Sequence, residues 1–369
     1  MAKKAKIHLI AAARPNFMKV APLMHALHLE DDFEARLIHT GQHYDTNMSQ
    51  TFFDELGLKT PDFHLEVGSG THAQQTGRVM MRYEETALND SPDATIVVGD
   101  VNSTAAVAIV CAKLHIPIIH LEAGLRSGDR KMPEEINRIV TDSIADLLWT
   151  PSVDGDQNLR KEGIPDARIE RVGNIMLDSF ELMRARIESD NTSKKIGLLD
   201  SNYAVVTLHR PANVDSFDSL SLLVDQLTQV SKKIRFVFPL HPRTRKSLLD
   251  LDLLDQLSKN SRIILTEPLS YVQFMNLVSN AKMTITDSGG LQEETTYLGI
   301  PCLTLRSSTE RPITITQGTN RLVRVEELIL RVESILNDEW QLGKCPDLWD
   351  GKTAQRCVAS LNRFLQLTN

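Results

Sequence analysis

Short, continuous apolar runs alternate along the chain with segments whose apolar residues recur every three or four positions. Runs at residues 6–12, 35–39, 94–98, 116–121 and 147–150 read as strands buried on both faces, and the periodic segments 16–28, 74–88, 103–114 and 133–144 read as helices between them. This alternation predicts a parallel, doubly wound sheet. The pattern then restarts, with strands expected at 203–208, 235–238, 262–265, 283–286 and 301–305. The expected fold class is therefore α/β, two Rossmann-like doubly wound domains facing across a cleft lined by strand ends. The boundaries follow as 1–175, 176–350 and a terminal segment 351–369 carrying a last periodic helix near 353–366. The polar run ESDNTSKK at 188–195 reads as a surface loop.

At 369 residues the chain exceeds one ordinary core, which agrees with two domains of about 150 to 200 residues each. Its 41% hydrophobic and 24% charged residues are those of a soluble globular protein. A net charge of −7 argues against nucleic acid or an anionic membrane as the main partner, since both require a basic face. An anionic small ligand would need local arginines and lysines. Cys111, Cys302, Cys345 and Cys357 show no CxxC spacing, which suits a reducing cytoplasm, structural roles and no metal site. The amino-terminal apolar run is too short, and too soon closed by Arg14, for a leader, and no apolar window reaches the roughly 18 residues needed to cross a bilayer.

Candidate chemistry concentrates where strands end. HLEAGLRSGDRKMPEEINR, residues 120–138, places Glu122 directly after an apolar strand, where packing gains nothing from a carboxylate. Pro133 opens a helix with Glu134 and Glu135 in its first turn; acids there also simply complement the helix dipole. Arg14 and Lys19 begin the helix after the first strand, a pairing that suits a phosphate. Asp100, in VVGDVNST, ends a strand and on its own reads as a helix cap. His209 in LHRP closes the first strand of the second half, where an imidazole can bond a phosphate or move a proton. In TDSGGLQEE, Ser288, Gly289 and Gly290 form a junction whose backbone N–H groups can approach a phosphate, with Glu294 one turn on to accept ribose hydroxyls. Arg311 supplies a further cation. The run GSGTHA at 68–73 fits the dinucleotide pattern GxGxxA, but it does not follow the first strand of a unit, and the next strand-end acid, Asp100, comes too late in the chain.

ARPNFMKVAP, VVGDVNST, HLEAGLRSGDRKMPEEINR, VTLHRP, TDSGGLQEE and TERP resemble, in order and spacing, the motifs of the non-hydrolysing UDP-N-acetylglucosamine 2-epimerase family, over nearly the whole chain. The resemblance implies a GT-B-like domain pair, a homodimer, a terminal helix crossing back to the first domain, and exchange of UDP-N-acetylglucosamine with UDP-N-acetylmannosamine without a redox cofactor. It assigns Asp100, Glu122, Glu134 and His209 to catalysis, and Arg14, Lys19, Arg138, Ser288, Gly289, Gly290, Glu294 and Arg311 to the UDP-sugar. Some relatives carry a second, allosteric nucleotide-sugar, and Gln42, Arg78 and His241 fall where it would lie. This chain departs from the pattern at Asn16, where many members have Glu, at Tyr44 and Asp45, and in a shorter turn at 128–133.

The residues suit the chemistry on independent grounds. The C2 hydrogen of an N-acetylhexosamine has no ring carbonyl beside it, so UDP must leave C1 first or together with the proton. Inversion then needs acid–base groups on two faces of a 2-acetamidoglucal. A hydrolysing epimerase, a 2-epimerase of UDP-2,3-diacetamido-glucuronate, a GT-B glycosyltransferase and a silent UDP-sugar sensor are the competing readings.

Overall fold

The computed structural model describes residues 4–41, 53, 55–198, 202–341 and 343–368. The chain divides into two compact units, residues 1–182 with 347–369, and residues 183–346. The first holds seven parallel strands: β1 (Ala5–Ala11), β2 (Phe33–His39), β3 (Phe63–His64), β4 (Ala94–Val98), β5 (Ile118–Leu121), β6 (Leu147–Thr150) and β7 (Ile169–Arg171), in the order β3-β2-β1-β4-β5-β6-β7. The second holds six: β8 (Tyr203–Thr207), β9 (Arg235–Pro239), β10 (Ile263–Thr266), β11 (Met283–Thr286), β12 (Cys302–Thr304) and β13 (Asn320–Leu322), in the order β10-β9-β8-β11-β12-β13. Numbered within its own unit, each sheet runs outward in both directions from its first strand, the doubly wound order in which ligands bind where the winding reverses. That reversal lies between β1 and β4 in one unit and between β8 and β11 in the other.

Both faces of each sheet are covered, so the central strands are largely buried; β4, ATIVV, is buried at all five positions. Ile10, Val97, Ala106, Ile118 and Leu148 belong to the core of the first unit, and Val206, Phe236, Phe238, Ile285 and Leu303 to that of the second. The GSGTHA run becomes a helix start. Thr71 caps the helix His72–Asp90 by accepting from the Gln74 amide, while Gln74 Oε1 accepts from the Thr71 amide at 3.1 Å.

The polar run at 188–195 is not the expected loop. It contains the end of the helix Ile175–Ser189 and a one-turn helix, Thr192–Lys195. Asn276 holds the junction, donating to the carbonyls of Ile187 and Asp190 at 3.0 Å each and accepting from the Ser193 amide at 3.2 Å. A buried amide from the helix Tyr271–Ser279 thus overrides local polarity.

The terminal helix Thr353–Thr368 belongs to the first unit. Trp149 on β6 donates to Ser360 at 2.8 Å, Ser360 donates to Glu170 on β7 at 2.5 Å, and the Ala354 amide donates to Asp178 at 2.7 Å. The chain re-enters this unit past Gly173, which has φ +99° and where an added Cβ would lie 2.2 Å from the Leu348 carbonyl oxygen.

Gly173→Ala must therefore displace backbone, whereas Gly163→Ala, at φ +84° with open space around it, meets only the left-handed penalty of about 1 to 2 kcal/mol. Urea unfolding should show a clearly larger loss of midpoint for Gly173→Ala. Equal losses would mean that the return of the chain is not tightly seated there.

Candidate active site

In the first unit the ends of β1, β4 and β5 bring one cluster together at Gly99. Gly99 has φ +69°, and a Cβ on it would lie 3.4 Å from Glu122 Oε2, 3.4 Å from Lys19 Nζ and 3.7 Å from Asn16 Nδ2. Lys19, on the helix Arg14–His28, donates to Glu122 Oε2 in a largely buried ion pair. Asn16 joins the loops, accepting from the Ala13 amide at 3.2 Å and donating to the Val98 carbonyl at 3.2 Å. Glu122 is 5% exposed and adopts φ +71°, a left-handed conformation that costs a side-chain-bearing residue about 1 to 3 kcal/mol and collects at functional sites. Its Oε1 is buried without a hydrogen-bond partner among the described residues.

Asp100 does not cap the following helix, Asn102–Leu114, whose cap is Val101. Instead it meets the helix Pro133–Ile144. Arg138 donates to Asp100 Oδ2 from Nε at 3.1 Å and from Nη2 at 2.8 Å, and to Glu135 Oε2 from Nη1 at 2.5 Å. Asn137 holds the Asp100 carbonyl at 2.9 Å. Glu134 sits half-buried in the first turn beside this group, after Met132 as cap and Pro133.

A buried relay supports the cluster from below. His120 on β5 places Nε2 2.8 Å from the Gly99 carbonyl and Nδ1 2.6 Å from Asp142 Oδ1, so the imidazole donates through Nε2 to the carbonyl. Asp142 Oδ2 accepts from the Gly124 amide at 3.1 Å and pairs with Arg126 at 2.7 Å. Burial would raise the Asp142 carboxyl, but His120 and Arg126 outweigh it and hold the group below its ordinary range.

In the second unit Asp287, wholly buried at the end of β11, organises the end of β8. It accepts from the amides of His209, at 3.1 Å, and Arg210, at 2.8 Å, and from Asn213 Nδ2 at 3.0 Å, and its Oδ1 lies 3.1 Å from His209 Nδ1. Burial pulls the His209 imidazole below its ordinary value; Asp287 opposes this, while Arg210, His241 and Arg243 add to it. Ser288 caps the helix Gly289–Leu298 without using its hydroxyl for the cap, and a Cβ at Gly290 would meet open space. At Gly289 a Cβ would come within 2.8 Å of Glu310 and 3.0 Å of Arg311. Arg311 pairs with Glu310 at 2.6 Å and with Glu293 at 2.8 Å, and Arg306 pairs with Glu310 at 3.0 Å. The buried Glu294 accepts from the Tyr271 hydroxyl at 2.7 Å. Gln292 ties this cradle together, donating to the Ser288 carbonyl at 3.0 Å and accepting from Thr309 at 2.8 Å and Asn320 at 3.0 Å.

Asp100, Glu122, Lys19 and Arg138 thus share one cluster, and Ser288, Gly289 and Arg311 another, with Glu294 further along the helix. Gln42 and the Arg14 side chain lie outside the described residues. Arg78 is exposed and donates to the Val67 and Ser69 carbonyls at 3.2 Å each. His241 is exposed, 5.4 Å from the His209 ring between centroids. The residues that pattern reading did not single out are Asp142, His120, Asp287 and Gln292, while it marked Glu135 only as a first-turn acid of its helix. A buried charge on an otherwise apolar strand or helix face was the available signal, and Asp287, one position before the Ser-Gly-Gly turn, carried it.

The profile of the UDP-N-acetylglucosamine 2-epimerase family matches residues 25–362. A UDP-N-acetylglucosamine 2-epimerase of Methanococcus maripaludis is 43% identical over 344 residues, 91% of this chain and 93% of the relative. A UDP-2,3-diacetamido-2,3-dideoxy-D-glucuronate 2-epimerase of Pseudomonas aeruginosa is 39% identical, covering 86% of this chain and 88% of the relative. The crystal structure of the Methanocaldococcus jannaschii UDP-GlcNAc 2-epimerase in complex with UDP-GlcNAc and UDP superposes with a TM-score of 0.86 at 39% identity, covering 97% of this chain and 99% of that one.

Asp287→Asn keeps one acceptor oxygen but turns an amide NH2 toward backbone N–H groups that only donate. The variant should lose about 1 to 3 kcal/mol of stability, the cost of leaving buried donors unpaired, visible as a lower urea midpoint. A wild-type midpoint would remove Asp287 as the anchor of the 208–213 segment.

Proposed function

The chain belongs to the UDP-N-acetylglucosamine 2-epimerase family, and from that premise we propose that it interconverts UDP-N-acetylglucosamine and UDP-N-acetylmannosamine without hydrolysing them. The observation that carries this reading is the convergence at Gly99 of a strained, buried Glu122 with Lys19, next to Asp100. A cradle that only held UDP would have no use for a carboxylate in a strained backbone with one oxygen unsatisfied.

The second unit holds the nucleotide. The N–H groups opening the helix at Gly289 and Gly290 and the Arg311 guanidinium take the diphosphate, with His209 beside them, and Glu294 takes the ribose. Asp287 accepts His209 Nδ1–H, and an anion at Nε2 favours the doubly protonated ring that can donate there. Arg14 and Lys19 neutralise charge as the C1–O bond to UDP breaks; Lys19 has three N–H donors, so its bond to Glu122 leaves two for phosphate. Oxocarbenium character at C1 acidifies the C2 hydrogen, one carboxylate of the Glu122 and Asp100 pair removes it, and the resulting 2-acetamidoglucal is reprotonated from the other face. Glu134 assists this transfer or holds sugar hydroxyls. Re-addition of UDP to C1 completes the cycle, with no redox cofactor required and, as in the family pattern, in a homodimer.

Incubation with UDP-N-acetylglucosamine alone in D2O tests the proposal, with C2 followed by NMR. UDP-N-acetylmannosamine carrying deuterium at C2 is the expected product. Free N-acetylmannosamine with UDP would assign the hydrolysing reaction, protium retained at C2 would rule out the two-base scheme, and turnover confined to UDP-2,3-diacetamido-glucuronate would move the substrate. Glu122→Gln and Asp100→Asn should each lose on the order of 10² or more in turnover while binding UDP nearly as the wild type does.

Burial pushes the Glu294 carboxyl up to about 7, with the Tyr271 hydroxyl opposing and Glu293 adding to the rise. A raised carboxyl contributes stability below its unfolded value of 4.5 and loses it as pH rises through about 7. Ribose hydroxyls donate only to the ionised form without competition, so UDP should draw this pKa down and release protons on binding near neutral pH. Calorimetry in two buffers of different ionisation enthalpy should find less proton release in Glu294→Gln than in the wild type. Equal release would take Glu294 away from the ribose.

A further inference from the structure

The proposed chemistry gives Glu135 no task, yet Glu135 is 2% exposed and its carboxylate is fully engaged. It accepts the Ser127 amide at 3.0 Å, the Gly128 amide at 2.9 Å and Arg138 Nη1 at 2.5 Å. An acid that merely complements a helix dipole stays at the surface and needs none of these contacts. Arg138, one turn further along the helix and 4% exposed at its side chain, turns its other edge, Nε and Nη2, to Asp100. Both of those bonds end on Oδ2, at 3.1 and 2.8 Å.

We infer that Glu135 is a positioning residue for proton transfer. It fixes the Arg138 guanidinium so that Arg138 grips a single oxygen of Asp100 and leaves Oδ1 to the substrate. The inference rests on the assignment of Asp100 to proton transfer. A guanidinium has five N–H donors in a rigid fork, and unrestrained it meets a carboxylate through two parallel bonds, one to each oxygen. Glu135 occupies Nη1 and thereby sets the plane of the fork. Because the same carboxylate binds the Ser127 and Gly128 amides, it also fixes the turn that runs from Glu122 to Glu134.

Glu135 shapes the charge on Asp100 as well. Burial alone would raise the Glu135 carboxyl, but the Ser127 and Gly128 amides and Arg138 together hold it below its ordinary range, so it is an anion at neutral pH. The charged or titratable groups around Asp100 are Arg138, Glu135 and Glu134 on the helix, Lys19 and Glu122 across Gly99, and His72, whose ring lies 3.1 Å from Asn102 Nδ2. Arg126 starts the same turn but is committed to Asp142 and Glu162. Removing the Glu135 charge leaves the whole Arg138 charge to Asp100 and deletes a neighbouring anion. Both changes favour ionised Asp100, a weaker base with both oxygens gripped.

The test is the pH profile of epimerisation for the wild type, Glu135→Gln and Glu135→Asp, with UDP affinity as the check on folding. Glu135→Gln should bind UDP within about twofold of the wild type, lose about tenfold or more in turnover, and move the acid limb of the profile down by about one pH unit. Glu135→Asp keeps the charge on a shorter arm, so its limb should shift in the same direction by less, which keeps the test alive if Glu135→Gln does not fold. In an Asp100→Asn background Glu135→Gln should cost little further, since the two act as one unit. Lost turnover with an unmoved limb in both variants, or full turnover in Glu135→Gln, would overturn the inference. Absence of turnover in the wild type would instead sink the proposed function.

Discussion

The buried pair of Lys19 and Glu122 at Gly99 is the contact on which the first unit depends. Two opposite charges withdrawn from water need close geometry to offset their lost hydration, and Lys19 meets Oε2 of Glu122 while Oε1 has no hydrogen-bond partner among the described residues. Gly99 follows β4 at φ +69°, a conformation that glycine adopts without the Cβ penalty, and the Glu122 backbone, at φ +71°, turns left-handed as well where its carboxylate meets Lys19 beside that glycine. These turns flank a contact between a lysine and a glutamate 103 positions apart. His120 then secures the Gly99 carbonyl from beneath, which links the charged pair to Asp142 and Arg126. The strain at Glu122 persists because the residues on either side are held in place: the Leu121 carbonyl accepts from the Gly99 amide and the Ala123 amide donates to the Trp149 carbonyl, both at 3.0 Å.

Much of this was readable in advance, for reasons that differ by residue. Central strands such as β4 and β11 coincide with their predicted runs because both faces are covered and every position is buried. β3, β7 and β13, of two or three residues each, were missed, since a run that short carries no period. Residues 188–195 misled for the opposite reason: their polarity is real, but the contact that folds them comes from Asn276, more than 80 positions away. The candidate site shows the same division. Glu122 and the Ser-Gly-Gly turn could be found because strand ends and glycines mark them locally. Glu135 looked like an ordinary first-turn acid, because nothing local distinguishes a glutamate that complements a dipole from one that grips an arginine and two loop amides.

The two units repeat one strand order and put it to different electrostatic use. At its β1–β4 reversal the first unit gathers titratable groups and leaves carboxylate oxygens available, Glu122 Oε1 and Asp100 Oδ1, as acid–base chemistry would need. At its β8–β11 reversal the second unit spends its carboxylate differently: Asp287 is consumed by backbone amides and fixes the path of the chain. Two of its cations are likewise matched, Arg311 by Glu310 and Glu293, and Arg306 by Glu310.

That matching bears on how an anion would be held. Glu294 and Glu310 are both buried glutamates of the same unit, yet one carboxyl is pushed up to about 7 and the other held down to about 2. Burial raises both; the difference is the company, a single tyrosine hydroxyl beside Glu294 and two guanidinium groups beside Glu310. Since Glu310 and Glu293 already balance Arg306 and Arg311, a diphosphate arriving at Gly289 would find little net positive charge from these two arginines. It would be held by oriented N–H groups at the helix start and by guanidinium bonds whose planes are set beforehand, interactions of short range that salt screens weakly. A cradle of this kind selects by shape and donor geometry, which suits the proposed leaving group, one that would depart, stay in place and return to the same carbon.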